Sequence, residues 1–266
     1  MRSTERGFTL IEAVMVIAIT GVVIGVLSVF IGPATTAYFA SNARAQLGDQ
    51  ADTALRRIAR DLAQALPNSA RVSANNLNVE LIPVSGAARY AVESGDVLMF
   101  GAADASFAIV GTPLQISHTN QQLAWFNLGA GIPDADAYTL ANVRTSTNAA
   151  GNAASVGITN AGLPNALQAP PYRVYAIEQP VTYRCDMSTT PGTLYRHTGY
   201  GFAASQPSTP TGGTTAVLAR NVTACRFVYD SSAFATRYGV VTLQLQLTSK
   251  GETVSLYQTV HVDNLP

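Results

Sequence analysis

The chain has 266 residues, of which 47% are hydrophobic and only 12% are charged. That length can bury a sizeable core, but the charged share is about half of what soluble domains usually carry. The 16 basic and 16 acidic residues balance, so no general positive field exists to attract a phosphate backbone. Nucleic acid is therefore not an expected partner.

The N-terminal segment carries the clearest pattern. The apolar run from Phe8 to Ile31 contains one charged residue, Glu12, and would form roughly 36 Å of helix, enough to cross a bilayer. A secretory signal peptide is a poor alternative, because its apolar core spans only about 7 to 15 residues and a small-residue cleavage site should close it. An ordinary signal anchor explains the length but leaves Glu12 unexplained, since an acidic residue in mid-membrane costs about 3 kcal/mol.

The charges that flank this run predict its orientation. Arg2 and Arg6 precede it, and the next charged residue after Glu12 is Arg44. Because basic residues remain on the cytoplasmic side, we expect a single-pass inner-membrane protein with a cytoplasmic N-terminus. The remainder of the chain should then lie in the periplasm.

The junction between the basic leader and the apolar run resembles a known processing signal. Gly7 and Phe8, followed by Thr-Leu-Ile and Glu12, resemble the GFTLIE signature of type IV prepilins and type II secretion pseudopilins. The resemblance implies that a prepilin peptidase/methyltransferase cleaves after Gly7 and methylates the new amino group of Phe8. It also implies that Glu12 pairs with the terminal amine of a neighbouring subunit, which offsets the cost of burying either charge alone. The implied partners are this peptidase, other pilins or minor pilins that contact the N-terminal helix, and an inner-membrane assembly platform.

Two pairs of residues bear on how the helix packs and continues. Gly21 and Gly25 form a G-x-x-x-G pattern that permits close approach of another helix, although glycine is common in membrane helices for other reasons. Gly32 and Pro33 predict a kink or local unwinding after the run. The expected domains are a leader at 1–7, a transmembrane and assembly helix at 8–33, an amphipathic stem at 34–66 and a β-rich head at 67–266.

The stem is predicted from its helical periodicity. Apolar residues recur at intervals of three and four at Leu47, Ala51, Leu55, Ile58, Leu62 and Leu66. The opposite face carries Arg56, Arg57, Arg60 and Asp61. We expect this amphipathic helix to pack against a globular head and to end before Pro67.

The head is predicted to consist of short strands. Strand patterns occur at 77–84, 89–92, 97–100 and 107–110 and return from Tyr172 onward. Loops are expected at 129–137 and at 145–171, the second as an exposed excursion. A helix that precedes an antiparallel sheet predicts an α+β fold.

The C-terminal residues predict a hairpin. Apolar and polar residues alternate on the first strand, with Val241, Leu243, Leu245 and Leu247 on one face. The turn is expected at 249–251, and the return strand continues with Val254, Leu256, Val260 and Val262 on one face. Gln258 breaks that face, which predicts a position at a rim or an edge.

Two cysteines allow one bridge. Cys185 and Cys225 fit neither a CxxC redox pair nor a four-ligand zinc site, which leaves a disulfide or two free thiols. A periplasmic location favours the disulfide. Such a bridge would join neighbouring strands, or a strand to a loop.

The sequence contains no catalytic or nucleotide-binding motif, so neither enzymatic activity nor a cofactor is predicted. The histidines His118, His197 and His261 are each isolated in their segments and are interpreted as structural or exposed. Asp134 and Asp136 are weak candidates for Ca²⁺ ligands, but two carboxylates are too few for a site, and a solvated loop is the preferred interpretation.

The sequence after the N-terminal helix narrows the resemblance to particular kinds of pilin subunit. The stem sequence ALRRIARDLAQALPNS resembles that of J-type minor pseudopilins and of minor pilins in mannose-sensitive haemagglutinin pilus systems, and LYRHTGYG and the final HVDNLP strengthen the second likeness. The resemblance implies a minor pilin that helps to initiate or cap a filament. A J-type minor pseudopilin of a type II secretion system and a tip adhesin that uses loop 145–171 are the alternatives.

Overall fold

The computed structural model describes residues 7–159, 162–234 and 238–266, so the prediction for leader residues 1–6 lies outside the described residues. Within these residues, one long α-helix precedes fifteen strands, and every strand pair is antiparallel, which confirms the predicted α+β fold with a β-rich head. The elements are α1 (Leu10–Ala63), β1 (Arg71–Val72), β2 (Asn78–Leu81), β3 (Val84–Tyr90), β4 (Ser106–Val110), β5 (Leu114–Ile116), β6 (Gln122–Trp125), β7 (Val143–Thr145), β8 (Gly151–Ala153), β9 (Ser155–Gly157), β10 (Arg173–Ile177), β11 (Val181–Asp186), β12 (Gly192–Thr198), β13 (Thr214–Phe234), β14 (Tyr238–Ser249) and β15 (Glu252–Asp263), with short 3₁₀ helices at Ala137–Thr139 and Asn165–Leu167.

Gly32 and Pro33 do not interrupt α1, which runs through both residues as one helix of 54 residues. The hydroxyl groups of Thr35 and Thr36 donate hydrogen bonds to the Gly32 carbonyl at 2.9 and 3.2 Å. These bonds give the Gly32 carbonyl two hydroxyl donors next to Pro33, which has no backbone N–H group to donate within the helix. The predicted local unwinding is therefore wrong, and the predicted transmembrane and stem helices form one continuous element.

The helix ends at Ala63, three residues before the predicted end at Leu66. Beyond Ala63 the backbone no longer forms helical hydrogen bonds but pairs with the chain between β2 and β3. The Leu66 amide donates to the Ile82 carbonyl (2.7 Å), and the Val84 amide donates to the Gln64 carbonyl (3.1 Å). Leu66 keeps the apolar spacing of the helix and is buried, but it lies on chain that pairs with the connection between β2 and β3.

The two halves of α1 have different surroundings. Residues 8–39 are exposed on every side of the helix. The second half buries a single stripe, formed by Ala43, Leu47, Ala51, Ala54, Leu55, Ile58 and Leu62. The helical positions of the predicted stem stripe are thus confirmed, and roughly 45 Å of helix extends beyond the head.

A seven-stranded sheet receives the buried stripe of α1. Its strand order is β1-β2-β11-β12-β13-β14-β15, and α1 packs most extensively on β15. The shared core is lined by Leu81, Tyr183, Phe227 and Leu245, all buried. Docking on this sheet orders the second half of the helix, since packing rather than helix propensity supplies most helical stability.

The predicted C-terminal hairpin is confirmed. Val241, Leu243, Leu245 and Leu247 point into the core and are at most 1% exposed. Lys250 and Gly251 form the turn, and both have positive φ angles (53° and 82°), as a tight two-residue hairpin turn requires. Gln258 is half-buried on β15, which is an edge strand, in agreement with the predicted edge position.

A second sheet completes the head. It has the order β7-β6-β10-β3-β4-β9, beside the two-stranded pair β5-β8. Phe107 and Trp125 are fully buried in its core, with ring centroids 5.8 Å apart in an edge-on arrangement. The chain passes from the first sheet to the second at 82–83 and returns at 178–180. The predicted strand at 77–84 is therefore two strands in different sheets, separated at Pro83.

The segment at 145–171 differs from its prediction as an exposed loop. Its described residues include β8, β9 and the second 3₁₀ helix, and they bury Val156, Leu163 and Leu167 in the core of the second sheet. Residues 97–100, predicted as a strand, form only an isolated bridge between Phe100 and Leu163. Residues 129–136 contain no strand, as predicted, and lead into the first 3₁₀ helix.

Cys185 and Cys225 form a disulfide, and their Cα atoms are 6.4 Å apart. The bridge joins β11 to β13, which are separated by β12 in the sheet order, so the expectation of neighbouring strands or a strand and a loop is wrong. The bridge is possible because the pairing of β12 with β13 stops at Val222, before Cys225. Cys185 itself pairs with Leu194 of β12, so the bridge connects β11 to β13 at the Gly192 end of β12.

Candidate functional site

The exposed segment of α1, residues 8–39, presents an almost wholly apolar surface. Leu10, Ile17 and Phe30 are each more than 70% exposed. Among the described residues, α1 alone is long and apolar enough to cross a membrane, and the most apolar window of the helix is not buried by the head. An apolar surface of this extent requires a cover of lipid or protein, because soluble monomers rarely expose such patches.

Glu12 lies at the start of the exposed segment. Its backbone amide donates to the Thr9 hydroxyl at 3.4 Å, so Thr9 caps the helix and places the Glu12 carboxylate in the first turn. There its negative charge interacts favourably with the helix dipole. Within the described residues, however, the carboxylate has no hydrogen-bond or ion-pair partner. Glu12 is exposed on the surface of the helix.

The glycines predicted to act near this segment have open surroundings. A Cβ atom added to Gly7, Gly21 or Gly25 would lie more than 4 Å from every described atom outside its local backbone. Gly21 and Gly25 lie one helical turn apart on the same face of α1. Neither glycine is needed for close contacts within the described chain.

A polar cluster fixes α1 to the seven-stranded sheet. The Asp61 carboxylate accepts hydrogen bonds from the Tyr183 hydroxyl (2.5 Å) and from Arg196 Nη2 and Nε (2.9 and 3.2 Å). Arg57 of the same helix approaches Asp61 to 3.3 Å. Burial, with a smaller effect of the Asp61 bond, raises the pKa of Tyr183, so this hydroxyl stays protonated and donates. The cluster joins α1 to β11 and β12 near the C-terminal end of the helix.

The two aspartates considered for calcium have different environments. Asp136 is buried, and its carboxylate accepts from the backbone amides of Tyr138 and Gly131, both at 2.8 Å. Asp134 is exposed and has a positive φ of 62°. Asp136 thus organises the backbone of this loop, and the described residues contain no group of three His, Cys, Asp or Glu side chains suited to a metal ion.

The three histidines lie on different parts of the head, between β5 and β6, on β12 and on β15. His118 is exposed, and Nδ1 and Nε2 lie 3.0 Å from the Thr119 carbonyl and 3.1 Å from the Glu178 carboxylate, contacts that raise its pKa. His197 is buried beside the Thr215 hydroxyl, and burial lowers its pKa. His261 is exposed on β15. Nothing in these positions joins the three side chains into one site.

Comparison with known sequences bears on the N-terminus. Residues 2–28 match the family described as the Prokaryotic N-terminal methylation motif. The chain has a type IV prepilin-like N-terminus. This prepilin-like N-terminus supports a pilin-like or pseudopilin-like subunit that is processed by a prepilin peptidase and assembles with other pilins. No match to the chain was found among curated proteins or among solved structures.

The sequence did not reveal the polar cluster that holds α1. Asp61 is separated from Tyr183 by 122 positions and from Arg196 by 135, so no local pattern connects them. The one available signal is that Asp61 is the acidic member of an otherwise basic helix face. The sequence pattern placed Asp61 only on the face opposite the buried stripe, without a partner.

Proposed function

We propose that the chain is a structural subunit of a type IV pilus or a type II secretion pseudopilus. The observation that carries the proposal is that the prepilin-like N-terminus continues into an exposed apolar helix, in which Glu12 has no partner among the described residues. Lipid would cover this helix before assembly, and neighbouring helices would cover it in the filament. Before assembly the subunit would thus reside in the inner membrane, with its N-terminus in the cytoplasm and its head in the periplasm.

The processing step follows from the same segment. A prepilin peptidase/methyltransferase would cleave after Gly7 and methylate the new amine of Phe8. The amine of one subunit would then pair with Glu12 of another, so that two charges costly in an apolar environment neutralise each other. Gly21 and Gly25 would allow close approach of helices beside this pair. The assembly platform in the inner membrane would extract the subunit.

The particular subunit is proposed from the later sequence. The stem, the LYRHTGYG segment and the C-terminus resemble the MshO minor pilin, which favours a minor pilin of a mannose-sensitive haemagglutinin type of pilus. A J-type minor pseudopilin of a type II secretion system is the alternative. The head contains two sheets of seven and six strands, and such bulk beside a common helical stalk favours a place at the tip, where the subunit would initiate or cap the filament.

The assembly role is tested by Glu12→Val in cells that contain the complete filament machinery. The variant should insert into the membrane as well as the wild type or better, because an apolar residue replaces a charge, but its recovery in sheared filaments should fall at least about tenfold, the effect of losing roughly 1.4 kcal/mol. Thr20→Val is the matched control, since it removes a polar group from the same exposed helix without removing a charge. This control should assemble normally.

Normal recovery of Glu12→Val in filaments would contradict the charge-pair mechanism. The tip position is tested separately by gold labelling of an epitope on the head in purified filaments. Labels at one end support the tip position, whereas labels distributed evenly along the filament would refute it.

A further inference from the structure

The strand β15 forms one edge of the seven-stranded sheet and is 12 residues long. Every other sheet edge in the described chain is formed by a strand of two or three residues, namely β1, β5, β7, β8 and β9. Proteins usually protect an edge strand by keeping it short or by placing proline, lysine or a bulge in it. β15 contains neither proline nor lysine, and its register with β14 continues without a bulge over all 12 pairs. It therefore carries none of the usual protections against pairing with another strand.

The turn that precedes β15 identifies the backbone groups that face the free edge. Ser249 and Glu252 close the two-residue hairpin, so they form a hydrogen-bonded pair between β14 and β15. Hydrogen-bonded pairs then alternate with non-bonded pairs along the uninterrupted antiparallel register. The N–H and C=O groups of Thr253, Ser255 and Tyr257 consequently point away from β14, towards the free edge. No described residue hydrogen-bonds to these backbone groups, and all three residues are exposed.

The side chains of β15 define what kind of strand can be added. Val254 and Leu256 lie on the face that packs on α1 but are only partly buried, so an apolar side chain beside them would extend the cover of the core. The opposite face presents neutral polar groups, among them Tyr257, which is 67% exposed. Charged residues occur only at the two ends of β15, and Glu252 at the first end is already paired with Arg44 of α1. The matching partner is therefore an uncharged strand in which apolar and polar residues alternate.

A second copy of this chain fits the edge poorly. Antiparallel pairing of β15 with the β15 of another copy requires a two-fold axis perpendicular to the sheet. That axis reverses the direction of every element that lies on the sheet, including α1, so the two exposed apolar segments would point in opposite directions. One membrane cannot receive both segments, and the alternative parallel pairing is less stable per residue.

We propose that β15 is extended by a strand from the head of a different subunit in the same filament. This inference rests on the proposed function, and it names a contact that accompanies the packing of the N-terminal helices. Among the described strands, β15 packs most extensively on α1, so its free edge lies beside the helix through which the filament would assemble. Backbone hydrogen bonds would supply the affinity, and the alternation of side chains would supply the selectivity.

The test replaces Tyr257 by photoreactive p-benzoylphenylalanine in cells that contain the complete filament machinery. Irradiation should give an adduct, and mass spectrometry should map this adduct to an extended segment in the head of another filament subunit. Adding Ser255→Pro removes one N–H group from the free edge and should lower the adduct yield at least about tenfold, which corresponds to about 1.4 kcal/mol. Ser255→Ala is the matched control. It loses the same hydroxyl group but keeps the N–H group, so the adduct yield should not change.

A second pair of variants covers the case in which Ser255→Pro does not fold. Thr259→Lys keeps the backbone N–H group and adds a charge to the exposed edge, so it should also lower the adduct yield, whereas its control Thr259→Gln should not.

Recovery of the parent chain in sheared filaments is measured in parallel. Its absence from filaments would overturn the proposed function and this inference together. If the chain is present in filaments, the edge inference alone is overturned by the lack of an adduct, by an adduct with a second copy or with a protein outside the filament, or by equal yields in the variants and their controls.

Discussion

Removing the charge of Asp61 should loosen the attachment of α1 to the head. Asp61→Asn conserves shape, but the oxygen that accepts from Tyr183 and Arg196 becomes that of a neutral amide, and an N–H group replaces the Oδ1 atom that faces Arg57. Three hydrogen bonds lose the negative charge of their acceptor and weaken by about 1 kcal/mol each, which gives a destabilisation of about 3 kcal/mol. Arg196 is also left without its counter-charge, at a side-chain exposure of 22%.

Hydrogen exchange of the helix amides measures this effect directly. A change of about 3 kcal/mol raises the population of the opened state roughly 150-fold, so amides in the docked half of α1 should exchange faster by about that factor. Amides of the second sheet should change less, because Asp61 does not contact that sheet. The experiment is carried out on the full chain in detergent micelles.

Asp52→Asn provides the control for Asp61→Asn. Asp52 makes an ion pair with Arg56 on the same helix, but the two side chains are 50% and 72% exposed, so its loss should leave exchange unchanged. Equal exchange rates in Asp61→Asn and Asp52→Asn would refute the role assigned to the cluster.

Three further predictions concern the head. Replacing both cysteines of the disulfide with alanine should lower the free energy of unfolding by about 4 kcal/mol on the chain-entropy estimate, measured by denaturant titration with Trp125 fluorescence; an unchanged midpoint would contradict this. Because burial lowers the pKa of His197, the unfolded chain binds the proton more readily, and stability should fall as the pH drops below about 6.5, by at most about 1.4 kcal/mol per pH unit. His197→Asn should flatten that dependence, and an equally steep pH profile in the variant would exclude His197 as its source. Glu178→Gln should lower the pKa of His118, measured by NMR, but not to its ordinary value, because the hydrogen bond with the Thr119 carbonyl remains; an unchanged pKa would show that the Glu178 contact is absent in solution.

Features encoded in local periodicity were predictable from the sequence. The stem stripe repeats at helical spacing, and the C-terminal hairpin alternates along both strands around a Lys-Gly turn, so each pattern identifies both the element and its buried face. The residues at 145–171 gave no such signal. Val156, Leu163 and Leu167 are widely spaced among small and polar residues, and their burial depends on pairing with distant strands.

The continuity of α1 was also beyond local reasoning. Pro33 usually ends or kinks a helix, yet hydroxyl donors follow it and the helix continues. The candidate site likewise has one part that the sequence predicted and one part that it did not. The motif around Gly7, Phe8 and Glu12 is contiguous and was recognised directly, whereas the polar cluster around Asp61 joins residues 122 and 135 positions apart and had no sequence signature.

The central claim is tested most directly by the intact mass of the protein isolated from cells that contain the prepilin peptidase. We predict the mass of residues 8–266 plus one methyl group, with peptide mapping that places this methyl group on Phe8. Gly7→Val should retain the full mass of residues 1–266, and it should not disturb the fold, because the new side chain would begin in open space. A wild-type chain that keeps its first seven residues, or is cleaved elsewhere, would contradict the account.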